Sequence, residues 1–213
     1  DVYIKVVEVS EFGCVGYTQY LHIFIDHPSV VIKSVGDLYT NDKDIILQWK
    51  ILNAPRYNSN VEIWRRNAFT ADNFTYVDTA RRTDSVYIHK SQNTSASAYE
   101  YEVKIHDLCG NPITAPYHRN ILLGGHKVND DNYAVTLQWN RYFGWNTGVK
   151  RYELYRKLGD NGAWELYDMF TDDTSATYKN GFDSYYQCYR IKAIENNGGF
   201  EQESGSNEIC FGF

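Results

Sequence analysis

The feature that most constrains the fold of this chain is an internal repeat. Three motifs recur in the same order about 90 residues apart. The recurring pairs are IILQWK at 45–50 with VTLQWN at 135–140, VEIWRR at 61–66 with YELYRK at 152–157, and YEVKIHD at 101–107 with YRIKAIE at 189–195. This spacing is the length of one small β-sandwich, so the chain is predicted to contain two copies of one domain.

Each copy shows about seven short runs with two-residue alternation, separated by turn-forming residues. Aromatic residues make up 16% of the chain, which favours strands. An all-β fold of two antiparallel sandwiches in tandem is therefore predicted. The predicted strands are 30–34, 44–50, 61–65, 75–80, 85–89, 99–106 and 118–123 in the first copy, and 126–129, 133–140, 150–157, 164–170, 176–179, 187–194 and 203–210 in the second.

Residues 1–26 fit neither copy and are predicted to form a β-hairpin. We interpret this hairpin as the end of an upstream domain, and the alternative is a hairpin docked on the first repeat. The predicted division is 1–26 for the hairpin, 27–124 for the first sandwich and 125–213 for the second. No Ser/Pro-rich linker separates the copies at Leu123-Gly124-Gly125, so a stiff tandem is expected.

The charge and hydropathy of the chain exclude two classes of partner. A net charge of -6 opposes nucleic-acid binding, which needs concentrated Lys and Arg. No run of about 20 apolar residues is present, so membrane insertion is not expected. The sequence also shows no signal peptide, and export would therefore depend on signals outside these residues.

Two aromatic positions recur in both copies and are predicted to fill the cores. Trp49 and Trp139 stand in the second strands, and Tyr101 and Tyr189 begin the alternating part of the sixth strands. With these residues the pair of copies resembles fibronectin type III domains. That resemblance implies that each Trp packs between the sheets, and that each Tyr hydroxyl bonds to upstream backbone as a tyrosine corner.

Longer motifs resemble a particular group of surface proteins. They are GCVG at 13–16, DLCGN at 107–111, WNRYFGWNTGVKRYELYRK at 139–157, and CYRIKAIENNGG with SGSNEIC between 188 and 210. Together they resemble the Ig-like and fibronectin-like repeats that precede the sorting domain in gliding motility-associated C-terminal domain proteins, which are type IX secretion substrates. The resemblance implies an extracellular, cell-surface location. The implied partners are neighbouring domains of the same polypeptide, the type IX machinery and outer-membrane components.

Four cysteines permit three pairings if all are oxidised, and strand parity favours a single disulfide. Cys188 and Cys210 share the outward parity of paired strands, so a cross-strand bond between them is predicted. Cys109 has inward parity after the sixth strand and is predicted to be a buried thiol. Cys14 is expected to have its partner in the upstream domain, and pairing of Cys14 with Cys109 is the alternative.

Metal and catalytic motifs are not apparent in the sequence. The six histidines lack zinc spacing, and no Cys-x-x-Cys occurs. Acidic clusters at 41–44, 129–132 and 171–173 stand where hairpin turns need Asn and Asp, with calcium binding as the alternative. No nucleophile elbow or glycine-rich phosphate loop is present, so neither an enzyme nor a cofactor is predicted.

One loop carries three aromatic residues, Tyr142, Phe143 and Trp145. We expect it either to pack on its own sandwich or on the first repeat and stiffen the junction, or to bind a glycan or a protein partner. The resemblance also implies O-glycosylation triads at Asp78–Ala80 and Asp84–Val86, with Thr79 and Ser85 as the acceptors. The predicted function is a non-catalytic stalk or spacer in a secreted, adhesin-like multidomain protein. The alternatives are a binding module and an accessory domain of a secreted hydrolase.

Overall fold

The structure, a computed structural model, is built from antiparallel β-strands. It describes residues 2–4, 7–9, 15–17, 21–23, 28–37, 43–52, 60–107, 109–128, 131–179, 183–199 and 201–213, with the backbone alone for 2–23 and 131–132. No helix occurs among these residues, and so none of them belongs to a helix that could cross a membrane.

The first four strands form a nested hairpin. They are β1 (Val2–Ile4), β2 (Val7–Val9), β3 (Val15–Tyr17) and β4 (Leu21–Ile23). The outer strand β1 pairs with β4, and the inner strand β2 pairs with β3, both antiparallel. The predicted hairpin is therefore present, while its membership of an upstream domain stays a prediction.

The first repeat is a sandwich of two sheets. Its strands are β5 (Ser29–Asp37), β6 (Ile45–Leu52), β7 (Val61–Asn67), β8 (Thr75–Ala80), β9 (Val86–His89), β10 (Tyr99–His106), β11 (Pro112–Thr114) and β12 (His118–Arg119). One sheet has the order β5-β6-β9. The other has the order β8-β7-β10-β11, with β12 also paired to β10.

The second repeat has the same strand order. Its strands are β13 (Leu123–Val128), β14 (Asp131–Trp139), β15 (Val149–Leu158), β16 (Trp164–Phe170), β17 (Ser175–Lys179), β18 (Tyr186–Glu195), β19 (Glu203–Gly205) and β20 (Ile209–Gly212). The sheets are β13-β14-β17 and β16-β15-β18-β19, with β20 also paired to β18. The chain is thus a tandem of fibronectin type III-like sandwiches, as predicted. The proposed division at residue 124 stays a prediction, and β13 runs through that position.

The seventh strand of each repeat differs from the prediction because it is broken in two. In the first repeat, Pro116 lies between β11 and β12 and interrupts their pairing with β10, since proline has no N–H to donate to the ladder. In the second repeat, the Ser206 hydroxyl accepts the Ile191 N–H at 2.8 Å, where a ladder carbonyl would otherwise act. The predicted strand 118–123 of the first repeat is wrong in its second half. The observed strand β12 ends at Arg119, and β13 begins at Leu123.

Each sandwich encloses its own hydrophobic core. Trp49 and Tyr101 lie in the first core, and Trp139 and Tyr189 lie in the second. The tyrosine-corner expectation is wrong for Tyr101 and stays a prediction for Tyr189. The Tyr101 hydroxyl bonds to His89 Nδ1 at 2.8 Å, and Tyr189 donates its single hydroxyl proton to the Gln187 side chain at 2.8 Å. A side chain has thus replaced the upstream backbone as the partner of Tyr101.

Candidate functional site at the junction of the two sandwiches

The aromatic loop of the second sandwich packs against the first sandwich. Tyr142 and Trp145 are buried, with ring centroids 3.9 Å apart, whereas Phe143 is 46% exposed. Gly144 turns the loop with a φ of +134°, and a Cβ at this position would lie 2.2 Å from the His118 ring. Only glycine satisfies both the backbone angle and the close approach. The loop therefore has the junction-packing arrangement, one of its two predicted roles.

Three hydrogen bonds join the loop and β19 to β5. The Val35 N–H donates to Tyr142 Oη at 3.1 Å, and Trp145 Nε1–H donates to the Lys33 carbonyl at 2.6 Å. Ser204 Oγ donates to the Val35 carbonyl at 2.6 Å. A β-bulge between Ile32 and Ser34 breaks the regular register of β5 at this point. Polar groups of an edge strand are thus satisfied by the neighbouring sandwich instead of by water.

His118 and Tyr142 form a buried pair at the centre of the junction. His118 Nδ1 lies 2.7 Å from Tyr142 Oη, and His118 is 3% exposed. Burial lowers the pKa of His118 to about 4 and raises the pKa of Tyr142 above its ordinary value. The imidazole is therefore neutral near pH 7, and it serves as a packing and hydrogen-bonding group.

Two asparagines fix the chain that connects the sandwiches. Asn140 donates to the Asn120 carbonyl at 3.0 Å and accepts the Leu122 N–H at 2.7 Å. Asn207 accepts the Leu123 N–H at 2.7 Å and donates to the Leu123 carbonyl at 2.9 Å. The backbone on both sides of the crossover is thereby held by the second sandwich.

A row of aromatic rings and arginines lies along one side of the junction. Phe143 stacks on Tyr117 with a centroid distance of 4.9 Å. The Arg119 guanidinium lies 4.2 Å from the Phe69 ring and 5.5 Å from the Phe143 ring. Arg119 also donates to Glu100 at 2.9 Å, and Glu100 is almost fully buried. Cation–π contacts and an ion pair thus connect the exposed edge of the loop to the first sandwich.

A disulfide joins Cys188 and Cys210, which are directly opposite each other on β18 and β20. The expectation that both sulfurs face solvent is wrong for Cys188, which is fully buried. Parity places Cys188 on the outer face of the sheet, but long side chains cover that face. Lys157, its cross-strand neighbour, reaches Glu208 at 3.0 Å.

Cys109 is exposed, so the prediction of a buried thiol is wrong. The physical reason is the turn that follows β10. The Asp107 carboxylate accepts the backbone N–H groups of Cys109 and Asn111, each at 2.8 Å, and this turn ends the strand alternation before Cys109. Cys14 lies outside the described residues, and its pairing stays a prediction.

The remaining predicted positions lie at the surface. Thr79 and Ser85 are exposed, and the Thr79 hydroxyl bonds to the Tyr76 hydroxyl at 2.7 Å. Their glycosylation stays a prediction. In the acidic clusters, Asp44 accepts the Ser91 N–H at 2.9 Å, and Asp172 pairs with Arg141 at 2.9 Å. The rest of the clusters at 41–44 and 129–132 lies largely outside the described residues. Turn and surface ion-pair roles therefore account for the described part.

One group of potential metal ligands occurs among the described side chains, formed by Cys188, Glu208 and Cys210. Both sulfurs are consumed by the disulfide, so neither is available as a thiolate. The group therefore offers a single carboxylate, which does not make a metal site.

Comparison with known proteins identifies no family for this chain. No protein-family model matches the chain, and no curated protein matches it. Among solved structures, the chain is similar to the crystal structure of chicken CNTN1 FN1-FN3 domains, with a TM-score of 0.31 and 13% identity over 87% of this chain and 67% of that chain. The fold assignment rests on the strand order and the two cores.

Proposed function

We propose that this chain is a non-catalytic stalk segment in which the two sandwiches are held in one orientation. The observation that carries the proposal is the junction, where Tyr142, Trp145 and Ser204 bond to the backbone of β5. A flexible pair of domains has an interface of mobile and hydrated contacts. Buried aromatic side chains with directed hydrogen bonds instead oppose rotation of one sandwich against the other.

The environment of the buried ionisable groups supports a structural role. Glu100 lies between Arg66 and Arg119, and Glu153 pairs with Arg151 at 2.7 Å. His118 has a hydroxyl partner and no neighbouring carboxylate partner among the described residues. Such pairings stabilise charges in place, whereas proton transfer needs a group poised to change its protonation state at a reacting atom.

We further propose that the segment belongs to a secreted, adhesin-like protein of the cell surface. A disulfide between β18 and β20 and a sandwich of the extracellular type support an extracellular location. Export by type IX secretion, and contact with its machinery or with outer-membrane components, is proposed on the motif resemblance alone. Neighbouring domains of the same polypeptide would continue the stalk.

Nuclear magnetic relaxation of the amide nitrogens tests the rigid-stalk proposal. Both sandwiches should tumble with one correlation time, that of a 24.8 kDa body. The double variant Tyr142→Ala/Trp145→Ala should give the two sandwiches different, shorter correlation times. Leu166→Ala, which removes an exposed side chain on β16, is the control and should not change them. Independent tumbling of the sandwiches in the unmodified chain would contradict the proposal.

A further inference from the structure

A cleft of about 270 Å³ opens between the two sandwiches beside the junction. Val31, Pro116 and His118 contribute its wall on the first sandwich. Trp145, Asn146 and Glu195 contribute its wall on the second. Its volume is slightly below the range of about 300–1,000 Å³ for small-molecule sites, which leaves room for one small ring.

His118 presents a hydrogen-bond donor in this cleft. The Tyr142 hydroxyl accepts the Val35 N–H and has one proton of its own. Among the described residues, the only acceptor near that proton is His118 Nδ1, at 2.7 Å. Nδ1 is therefore unprotonated, and the neutral imidazole carries its proton on Nε2. This N–H has no acceptor among the described residues, and His118 is one of the residues that line the cleft.

The opposite wall supplies complementary polar groups. The Glu195 side chain is largely buried and accepts the Thr147 hydroxyl at 3.0 Å and the Asn197 amide at 3.5 Å, one on each oxygen, and each oxygen keeps a further lone pair. The amide of Asn146 is exposed and forms no hydrogen bond with the described residues. Donors and acceptors thus face each other across a space that also contains the Trp145 ring and the apolar Val31 and Pro116 side chains.

We propose that this cleft binds one ring of a neutral saccharide. A sugar ring carries hydroxyl groups that both donate and accept, and an apolar face that packs on aromatic and aliphatic side chains. The neutral His118 brings no positive charge, whereas Glu195 brings a negative one. The site therefore selects uncharged sugars against uronic acids and sulfated sugars. Such a site would give the stalk a contact with a polysaccharide in addition to its spacing role.

Binding is tested with the unmodified chain by nuclear magnetic resonance titration. The probes are the methyl glycosides of glucose, galactose and mannose, with methyl glucuronide as the acidic counterpart. At least one neutral glycoside should shift the signals of Asn146 and of the Trp145 indole N–H, and the glucuronide should bind at least tenfold more weakly. Absence of any shift with the neutral glycosides, or equal binding of the glucuronide, overturns the proposal.

Two cleft variants and one control variant assign the binding to the cleft. Asn146→Ala should weaken the neutral glycoside about tenfold, the effect of one lost hydrogen bond. Asn161→Ala removes another exposed amide, in the turn between β15 and β16, and should leave the affinity unchanged. Glu195→Gln keeps an acceptor for Thr147 but removes the negative charge. The difference in affinity between the neutral glycosides and the glucuronide should therefore become smaller. An unchanged affinity in Asn146→Ala places the binding elsewhere and overturns the proposal, whereas the relaxation experiment tests the rigid stalk independently.

Discussion

Glu100 and Cys188 occupy the same position in the two sandwiches. Each immediately precedes the core tyrosine of the sixth strand, and each is directly opposite a residue of the seventh strand, Arg119 or Cys210. Each is also opposite a basic residue of the third strand. One repeat therefore fastens its last two strands with a buried ion pair, and the other repeat fastens them with a covalent bond.

The shared register predicts that the ion pair can be replaced by a disulfide. In the double variant Glu100→Cys/Arg119→Cys, the two sulfurs should form a bond on air oxidation, because directly opposite residues on paired strands bring their Cβ atoms within bonding reach. Mass spectrometry of the intact chain should show two hydrogen atoms fewer than expected for free thiols at positions 100 and 119, because oxygen takes up the two protons and two electrons. The single variant Glu100→Cys provides the control. Free thiols at positions 100 and 119 in the oxidised double variant would contradict the structural equivalence of the Glu100–Arg119 and Cys188–Cys210 pairs.

Removal of the natural disulfide should destabilise the second sandwich. The bond closes a loop with a sequence separation of 22 residues. In the chain-entropy description this closure contributes about 3 kcal/mol. Urea unfolding of Cys188→Ala/Cys210→Ala should show this loss in the transition of the second sandwich only. Cys109→Ser changes an exposed free thiol and should leave both transitions in place, and an equal loss in that variant would contradict the assignment.

Loss of the Glu100 charge should destabilise the first sandwich. Glu100→Gln leaves Arg66 and Arg119 without a carboxylate partner, and the expected cost is about 2 kcal/mol because both arginines are partly solvated. Chemical unfolding of the variant measures this change. Asp172→Asn removes one member of a solvent-exposed pair and should cost less than about 0.5 kcal/mol. Equal effects of the two variants would show that burial does not strengthen the Glu100 pairings.

A side chain at position 144 should disrupt the junction. Gly144→Ala combines a positive φ with a Cβ that meets the His118 ring, and we expect a loss of about 3 kcal/mol in the coupling of the sandwiches. Gly148→Ala has a φ of +73° but open space around its Cβ, so it should cost only about 1 kcal/mol. Differential scanning calorimetry measures both. A Gly144→Ala variant as stable as Gly148→Ala would contradict the close approach.

The buried His118 predicts a loss of stability in mild acid. Its pKa is lowered from 6.5 to about 4 in the folded chain. As pH falls below 6.5, the unfolded chain takes up a proton that the folded chain does not, so the free energy of unfolding should decrease by about 3 kcal/mol between pH 7 and pH 4.

Denaturant titrations at several pH values measure this dependence. His118→Phe should remove most of the dependence of the unfolding free energy on pH. A smaller dependence should persist because burial also lowers the pKa of His89. His126→Gln changes an exposed imidazole and should retain the slope. A slope that survives in His118→Phe would assign the pH dependence to other groups.

Local sequence patterns were sufficient to predict the sandwiches. Alternation in β6 places Ile45, Leu47 and Trp49 on the core side, and the same alternation in β18 places Cys188 on the opposite side. The disulfide partner follows from that parity. Burial of Cys188 does not follow, because parity defines a face of the sheet and gives no information about what covers it.

The junction depends on contacts that no local pattern encodes. The aromatic loop is recognisable from Tyr142 and Trp145, but their partners Lys33 and Val35 lie more than 100 residues earlier. Those partners are presented by a bulge in β5, and a bulge alters register without altering composition. Cys109 shows the same limit, since a single Asp107 turn ends the alternation from which its burial was predicted.

The placement of the disulfide determines how the second sandwich yields when it is stretched. Tension applied at β20 passes from Cys210 to Cys188 through a covalent bond, so the segment between them, with a sequence separation of 22 residues, cannot extend. A segment of that length would otherwise add about 75 Å of extension. The second sandwich with its disulfide intact therefore lengthens less under load than the first. In the first sandwich the Glu100–Arg119 ion pair breaks when β12 detaches from β10.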